Sequence, residues 1–412
     1  MKTVGIIAEY NPFHNGHAYQ IAEAKKITGA DYCVVIMSGN FMQRGIPAIM
    51  DKSLRIQSAL MCGADLVLEL PVHYATGSAE YFASGAIAML DRLNVIDCLC
   101  FGSECGNIQA LSMLSDSLVS ESEEFKDLIK QNMKAGSSYP KARNNALIAS
   151  SPRLAGYSDI LQFPNNILGI EYLKALKKRG SHIEPYTISR KGSDYHDDSI
   201  NDSYSSALAI RESIEMNQDI SLIKEQLPET VYKLLEENYL KTFPITIEDF
   251  SSLILYKLIK EQENGYSRYF DIDKAFADRL ESLIYYYTDY TSFCEKIKTR
   301  NITHSRVARN LLHILLDIYQ SDVDAFCADD YVYYARIVGF RKEAAPLLSA
   351  IKEKTSIPLI SKLADSDSYV TSENGRKMLK RDIESNHIYS LIVSRKYHHN
   401  LLNEYKRAIV IL

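Results

Sequence analysis

Short, almost uninterrupted apolar segments alternate with helical patterns in the first half of the chain, and this alternation most constrains the fold. The predicted strands cover residues 3–9, 32–37, 66–70, 98–101 and 182–189. Predicted helices lie between and after them, at residues 17–28, 51–61, 78–93, 166–178 and 204–216. Strands that are apolar on both faces are typical of a parallel sheet covered by helices on both sides. We therefore predict an α/β fold that binds its ligands at the carboxyl ends of the strands.

The rest of the chain has a different pattern. Residues 107–160 contain helical periodicity without a convincing strand, which indicates a helical insertion in a first domain that covers residues 1–215. Residues 216–412 are predicted to form a second, mainly α-helical domain with one late strand at 356–362. Two domains agree with a length of 412 residues.

Charge and hydrophobicity exclude several classes of protein. Hydrophobic residues make up 46% of the chain and charged residues 24%, which is typical of a globular protein. The net charge of −5 excludes a global basic field, so a nucleic acid would need a local basic patch. The first apolar run is short and ends at Glu9, unlike a signal peptide or a membrane span. We expect a cytoplasmic protein that has no membrane partner.

The cysteines predict a reducing environment. Seven are scattered over the chain, an odd number that argues against a disulfide framework. Cys98, Cys100 and Cys105 form the only cluster, which either consists of buried thiols or binds a metal. No second pair with zinc-site spacing follows, so we expect no metal ligands.

The chemically most informative stretch is residues 10–17, YNPFHNGH, between the first strand and the first helix. A helix N-terminus offers unpaired N–H groups to an anion, and Gly16 lets the backbone approach it closely. His14 and His17 can face one side of the helix start and donate hydrogen bonds to phosphate oxygens as charge develops. The alternative is that His14 is a loop residue and His17 a helix cap.

This stretch resembles the HxGH-motif nucleotidyltransferases. The resemblance implies a Rossmann-like sheet and attack on the α-phosphate of ATP with release of pyrophosphate. A second motif of these proteins, Ser-Ser/Thr-x-x-Arg, is matched loosely by Ser205, Ser206 and Arg211, with Ala207 at the usual threonine position. Hydroxyls at a helix N-terminus and an arginine beyond them can both contact phosphates.

The sequence is more similar still to the tRNA(Met) cytidine acetate ligases of this superfamily, through residues 5–17, 35–45, 64–71, 101–104, 164–176 and 188–197. The resemblance implies that acetate and ATP form acetyl-adenylate, and that the acetyl group passes to N4 of the wobble cytidine of elongator tRNA(Met). We expect Mg²⁺ to bridge the phosphates. The catalytic residues would be His14 and His17. The implied ATP-binding residues are Ile7, Ala8, Glu9, Tyr10, Asn11, Pro12, Phe13, His14, Asn15, Gly16, His17, Ala18, Tyr19, Gln20, Gly102, Asn165 and Arg190, to which the second motif adds Ser206 and Arg211.

Several of these residues also have a plainer interpretation. Gly102 leaves room for the nucleotide or is a simple turn glycine, and Asn165 or Asn166 binds a ligand or caps a helix. Arg190, with Lys191, clamps a phosphate or is solvated. Glu104 is a candidate to position a magnesium-bound water or the cytidine amine.

Neighbouring charges and loops supply further hypotheses. Asp51, Lys52 and Arg55 are either triphosphate ligands or solvated charges at a helix start. Water must be excluded from the adenylate, and the candidate covers are residues 108–149 and the glycine-containing loop 38–45.

A tRNA substrate requires cationic side chains outside the ATP cleft. Basic clusters occur at residues 296–309, around Arg336, and at 376–381. The predicted RNA-binding residues are Arg300, Arg306, Arg309, Arg341 and Lys342. Each cluster by itself can equally be a solvated face.

Two other functions stay open on sequence alone. One is adenylyl transfer to a small-molecule cofactor precursor, although the extra half of the chain argues against it. The other is a non-catalytic RNA-binding protein, which the intact His14, Gly16 and His17 argue against.

Overall fold

The computed structural model describes residues 1–119, 123–136, 139–150, 152–190, 205–217 and 219–412. Within these ranges one mixed sheet runs through the molecule in the order β5-β4-β1-β2-β3-β6-β7, and β8 also pairs with β6. The strands are β1 (Thr3–Ala8), β2 (Tyr32–Ser38), β3 (Leu66–Leu70), β4 (Cys98–Ser103), β5 (Glu184–Ser189), β6 (Ala335–Phe340), β7 (Leu359–Ile360) and β8 (Val410–Ile411).

Strands β1 to β5 are mutually parallel and form the part of the sheet that the sequence predicted. β1 lies in the middle, between β2 and β4, so residues that follow β1 sit at the centre of the carboxyl edge. The predicted strands agree with the observed ones to within about two residues at each end. The predicted α/β class with a parallel sheet is confirmed.

Helices cover both faces of this sheet and form most of the second half of the chain. Apolar side chains of α4 and α8 pack on one face, and those of α1, α2, α9 and α10 on the other. A third cluster lies among α11 to α15. The α-helices are α1 (Asn15–Thr28), α2 (Lys52–Met61), α3 (Val72–Ala75), α4 (Ala79–Arg92), α5 (Ile108–Val119), α6 (Glu123–Lys134), α7 (Tyr139–Ser150), α8 (Pro164–Arg179), α9 (Ala207–Asn217), α10 (Glu229–Asn238), α11 (Ser251–Glu261), α12 (Lys274–Leu283), α13 (Tyr290–Ile297), α14 (His304–Leu315), α15 (Gln320–Ala328), α16 (Ala345–Lys354), α17 (Ser366–Tyr369) and α18 (Glu373–Tyr397).

The second half of the chain is mainly helical but also contributes strands to the sheet. β6 lies antiparallel to β3, and β7 and β8 pair with β6. The sequence predicted a late strand at 356–362, of which residues 359–360 are β7, and it missed β6 and β8. The division into domains at residue 215 stays a prediction, although the sheet itself crosses it.

A buried ionic network joins β3 to β6 and to the last residues of the chain. Lys52 contacts the carboxylates of Glu69, at 2.7 Å, and Glu404. Arg336 contacts the same two carboxylates, at 2.8 and 2.7 Å. The predictions that Lys52 meets triphosphate and that Arg336 belongs to an RNA-binding cluster are therefore wrong, because both side chains are buried and already paired.

Arg55 is also committed to the protein. Its guanidinium is fully buried and donates to the carbonyl oxygens of Glu9, at 2.6 Å, Ser38, at 3.1 Å, and Gly39. These carbonyls lie just past β1 and at the end of β2. The prediction that Arg55 neutralises triphosphate is wrong, because the side chain joins two strand ends instead.

The loop that follows β2 is fixed to the helical half. Gly45 has a φ of +78°, and a Cβ placed there would lie 2.3 Å from the Arg309 nitrogen in α14. Phe41 is buried in the cluster formed by α11 to α15. The prediction of a bendable cover is therefore not supported at these two positions, which are held between two parts of the fold.

All seven cysteines are free thiols, as the sequence predicted. Cys98 and Cys100 are buried in β4 against the same apolar cluster. Among the helices of the described ranges, none has the length and apolarity that a bilayer crossing requires.

Candidate active site

The two histidines of the HxGH motif cap the helix that they begin. His14 is the N-cap of α1, and its Nδ1 accepts a hydrogen bond from the Gly16 amide at 3.0 Å. The His14 amide in turn donates to Nδ1 of His17 at 3.3 Å. Because both Nδ1 atoms accept hydrogen bonds, each neutral ring carries its proton on Nε2. The helix-cap interpretation is correct for the Nδ1 atoms and leaves both Nε2–H groups available to a ligand.

The two rings are stacked and uncharged. Their centroids are 3.7 Å apart. Burial, with smaller contributions from Arg190 and Arg211, lowers the pKa of His14 to about 3. Burial and the neighbouring His14 ring lower the pKa of His17 well below its usual value. The pair therefore presents two neutral N–H donors at neutral pH.

Three residues of the same motif support the rings from behind. Tyr10 is buried, and its ring meets that of His17 edge-on at 4.8 Å and that of Phe13 at 4.9 Å. The Asn11 side chain accepts a hydrogen bond from the Ile49 amide at 2.8 Å. These contacts fix the turn between β1 and α1.

A cleft lies beside the rings, at the carboxyl ends of β1, β4 and β5. It consists of two adjoining cavities of about 60 and 360 Å³. Both are lined by His14, His17, Gln20, Gly102, Arg190 and Ser206. The smaller is also lined by Gly16 and Tyr19, and the larger by Ile7, Ala8, Glu9, Tyr10, Asn11, Asn165 and Arg211.

Most of the predicted ATP-binding residues thus meet in one place, and their binding of ATP stays a prediction. Pro12, Phe13, Asn15 and Ala18 do not line either cavity. Phe13 is core, and the Asn15 side chain donates to the Glu225 carbonyl at 2.8 Å.

Gly102 and Arg190 form one wall together. A Cβ at Gly102 would lie 3.5 Å from the Arg190 Cγ, an ordinary contact distance, so the Gly102 backbone lies directly beside the Arg190 side chain. The Arg190 amide donates to the Ser103 carbonyl at 3.2 Å, which fixes the residue after β5 against the end of β4. Lys191 lies outside the described residues.

The second motif contacts the first. Ser206 accepts a hydrogen bond from the Ala209 amide at 3.1 Å and so caps α9. Arg211, one turn further on, donates to the Asn11 carbonyl at 2.5 Å and lines the larger cavity. The loose match at Ala207 therefore still brings both predicted side chains to the cleft.

Glu104 has a structural role rather than the predicted one. Its carboxylate accepts hydrogen bonds from the Asn165 amide and side chain, at 3.2 and 2.6 Å, and from the Asn166 amide at 2.8 Å. It thereby caps α8 and holds Asn165 at the cleft. Asn166 is buried and accepts from the Cys105 amide at 3.1 Å.

Sequence reasoning missed the aromatic wall of the larger cavity. Phe82 of α4, Phe101 of β4 and Tyr172 of α8 line it. Each lies in an apolar pattern that predicts core, and nothing local distinguishes a core residue from one whose edge borders a cavity. The residues of the predicted helical cover that the structure describes line neither cavity, and α8 stands in that place instead.

The residues of the cleft fit a magnesium ion that arrives with the triphosphate. Glu9 is the one carboxylate among the described lining residues. No cluster of three or more metal-binding side chains occurs in the described part of the chain. Mg²⁺ usually keeps several waters and is held by one or two carboxylates together with substrate phosphates, so phosphate oxygens and waters would supply most of its ligands here.

Of the predicted RNA-binding residues, Arg306 and Arg309 lie beside the same carboxylate, that of Asp271. Arg306 donates to Asp273 at 2.9 Å, and Arg309 lies 3.8 Å from Asp271, so acidic neighbours partly neutralise both. Arg300 is exposed. Arg341 and Lys342 follow β6, and the Arg341 amide donates to the Asp65 carbonyl at the amino end of β3. That is the edge of the sheet opposite the cleft.

Comparisons with known proteins agree with this geometry. The family described as HIGH nucleotidyl transferase matches residues 1–404. The chain is 42% identical to the tRNA(Met) cytidine acetate ligase of Acetivibrio thermocellus, over 89% of both chains, and 40% identical to that of Caldanaerobacter subterraneus subsp. tengcongensis, over 95% of both.

Solved structures give the same result. The apo crystal structure of Thermotoga maritima TmcAL has a TM-score of 0.94 to this fold, with 28% sequence identity and both chains fully covered. The structure of the same protein bound with alpha-thio ATP has a TM-score of 0.91.

Proposed function

The chain belongs to the HIGH nucleotidyl transferase family and, within it, to the tRNA(Met) cytidine acetate ligases, and on this premise we propose that its HxGH cleft joins acetate to ATP and then acetylates tRNA. The protein is an ATP-dependent ligase, as the sequence predicted. The proposal extends to the particular residues, to the elongator form of tRNA(Met) as substrate, and to the cytoplasm as the site of action.

One observation carries the assignment of the reaction to this cleft. Two neutral imidazoles are stacked at a helix N-terminus, their Nδ1 atoms are occupied by backbone amides, and their Nε2–H groups remain for a ligand. Preorganised donors of this kind stabilise charge that develops in a transition state, because they need no reorganisation during the reaction.

In the first step an acetate oxygen attacks the α-phosphorus of ATP, and the bond to the β-phosphate oxygen breaks to release pyrophosphate. The Nε2–H groups of His14 and His17 donate to oxygens whose negative charge increases. Arg190 and Arg211, which both line the larger cavity, attract the departing phosphates. A magnesium ion, when bound with the triphosphate, would supply further charge neutralisation on the phosphates.

In the second step the exocyclic amine of cytidine attacks the acetyl carbon of the mixed anhydride. The carbon–oxygen bond to the phosphate breaks, and AMP leaves. The larger cavity, of about 360 Å³, adjoins the rings and leads to the aromatic wall, so base and adenylate can occupy neighbouring parts of one cleft. Water is excluded mainly by α8 and by the fixed loop after β2.

The tRNA requires a surface beyond the cleft. Among the predicted residues we favour Arg300, which is exposed, over Arg306 and Arg309, which acidic side chains hold. Arg341 and Lys342 can contribute only if the tRNA reaches the opposite edge of the sheet.

The test is mass spectrometry of the nucleotide products after protein, ATP, Mg²⁺ and labelled acetate are mixed. Wild-type protein should give acetyl-adenylate, and His14→Ala should reduce its formation by about 10²–10³-fold. Affinity for tRNA should be nearly unchanged. His182→Ala is the matched control, because His182 is exposed and lies outside the cleft.

Equal loss of adenylate formation and tRNA affinity in His14→Ala would contradict this division of labour. Pyrophosphate exchange that is independent of acetate would point instead to adenylyl transfer to another acceptor.

A further inference from the structure

The two proposed steps assign no catalytic role to Glu9. It follows β1 directly, at the centre of the carboxyl edge, and lines the larger cavity. No other carboxylate among the described residues lines either cavity. A carboxylate beside a phosphate-binding site repels the nucleotide electrostatically, so its presence there calls for a separate role.

The protein binds one oxygen of the Glu9 carboxylate and, within the described part of the chain, leaves the other without a hydrogen bond. Its Oε1 accepts a hydrogen bond from the Gln43 amide at 2.6 Å, and the Arg55 guanidinium holds its main-chain carbonyl at 2.6 Å. Its Oε2 has no hydrogen-bond partner among the described residues. One oxygen is therefore fixed by the protein, and the other can meet a ligand.

Charged groups from three elements face this carboxylate. Arg211 lies on α9, Arg44 on the loop after β2, and Arg55 on α2, and each favours the ionised form. Burial opposes them and is the larger effect, so the pKa of Glu9 is raised above its usual value. A carboxylate of raised pKa is a stronger base than an exposed one.

The neighbouring wall fits a planar base. Tyr172 is only 2% exposed, packs its ring against Phe101 at 5.6 Å, and has no hydrogen-bond partner for its hydroxyl among the described residues. Burial raises the pKa of the Tyr172 hydroxyl, and the nearby charge of Glu9 adds to that shift. An acceptor oxygen, a free hydroxyl and aromatic rings in one cavity suit a heterocycle that carries an exocyclic amine.

The two histidines cannot take a proton from that amine. Their Nδ1 atoms already accept backbone hydrogen bonds, and their Nε2 atoms carry the protons that they donate. Burial further opposes a positive charge on either ring. A base for the transfer step must therefore come from elsewhere in the cleft.

We propose that Glu9 is the general base of acetyl transfer, a role that rests on the proposed function. The N4 lone pair of cytidine bonds to the acetyl carbon, and an N4 proton passes to Oε2 of Glu9. The carbon–oxygen bond to the adenylate phosphate then breaks, and AMP leaves with that electron pair. The products are N4-acetylcytidine, AMP and a protonated Glu9, which returns its proton to water.

The test compares the two half-reactions in Glu9→Gln. The glutamine oxygen can still accept from the Gln43 amide, so the cavity keeps its shape. Acetate-dependent exchange of pyrophosphate into ATP reports adenylate formation, and single-turnover incorporation of labelled acetate into tRNA reports transfer. We expect the ratio of transfer to exchange to fall by about 10²–10⁴-fold, the usual contribution of a general base.

Two variants and a pH profile support the comparison. Glu215→Gln removes a negative charge near Arg211 from an exposed position outside the cavity wall, and should leave the ratio unchanged. Glu9→Asp keeps a carboxylate and should recover part of the transfer rate. Transfer by the wild type should rise with pH along an acidic limb that is absent in Glu9→Gln.

Several results would overturn the proposal. Equal loss of exchange and transfer would make Glu9 a nucleotide or magnesium ligand, and an unchanged ratio would exclude it as a base. A wild type without acetate-dependent exchange would refute the proposed function itself, and this role with it. Urea unfolding of Glu9→Gln separates all of these from a loss of folding.

Discussion

The contact between Gly45 and α14 gives a prediction that can be worked out in magnitude. Gly45 has a φ of +78°, and a Cβ there would lie 2.3 Å from the Arg309 nitrogen and 2.4 Å from the Ala308 carbonyl carbon. Both atoms are backbone, so neither can move aside without moving the helix. Gly45→Ala therefore strains the residue itself and also separates the loop from α14.

The two costs come from different sources. The left-handed conformation costs a residue with a Cβ about 1–2 kcal/mol. Overpacking of a well-packed contact costs about 1–3 kcal/mol. We expect Gly45→Ala to lower the free energy of unfolding by the sum, about 2–5 kcal/mol.

Gly29 provides the matched control. It has a φ of +65° at the C-cap of α1, and a Cβ there would meet nothing within 4 Å. Gly29→Ala should therefore show only the conformational cost of about 1–2 kcal/mol. Urea unfolding followed by far-UV circular dichroism measures both variants, since the chain has no tryptophan. Equal destabilisation by the two substitutions would refute the contact between loop and helix.

Two further predictions concern buried charge. The pKa of His14 is about 3 in the fold and about 6.5 in the unfolded chain. The contribution of this group to the free energy of unfolding should therefore be fully present above about pH 6.5 and decrease as the pH falls towards 3, by up to about 1.4 kcal/mol per pH unit. Urea unfolding of the wild type and His14→Gln across this range should differ by that slope, and parallel curves would contradict the shift. Lys52→Met removes one of the two buried cations that Glu69 and Glu404 share, so that Arg336 alone faces both carboxylates there, and should cost about 3–5 kcal/mol in urea unfolding. Lys126→Met, at an exposed pair, should change little, and similar effects of the two substitutions would show that the network contributes nothing.

The central strands could be predicted because each is a local apolar pattern. Residues 66–70 form β3 as predicted, since LVLEL is buried on both faces and lies between a turn and a short helix that begins after Pro71. β6 was missed because its apolar run is short and contains Arg336. That arginine is buried only because Glu69 and Glu404, which are distant in sequence, neutralise it.

The site was predictable only where one segment contains the chemistry. The HxGH stretch places both rings by local backbone geometry, so its position and its neighbours followed from the sequence. Lys52 and Arg55 were misassigned because a charge at a helix start is usually exposed and therefore open to solvent or to a ligand. Their buried partners become visible only in three dimensions. Phe82 and Tyr172 could not be separated from core residues for the same reason.

The network around Lys52 also constrains how the chain can mature during synthesis. Glu404 lies 352 residues after Lys52. At about 5–20 residues per second, a ribosome needs roughly 20–70 s to cover that interval. During this interval the Lys52 ammonium group lacks one of its two carboxylates, and for most of it the outer edge of β3 has no partner strand. The nascent N-terminal half therefore keeps an unpaired sheet edge and an incompletely neutralised buried charge until translation is nearly complete.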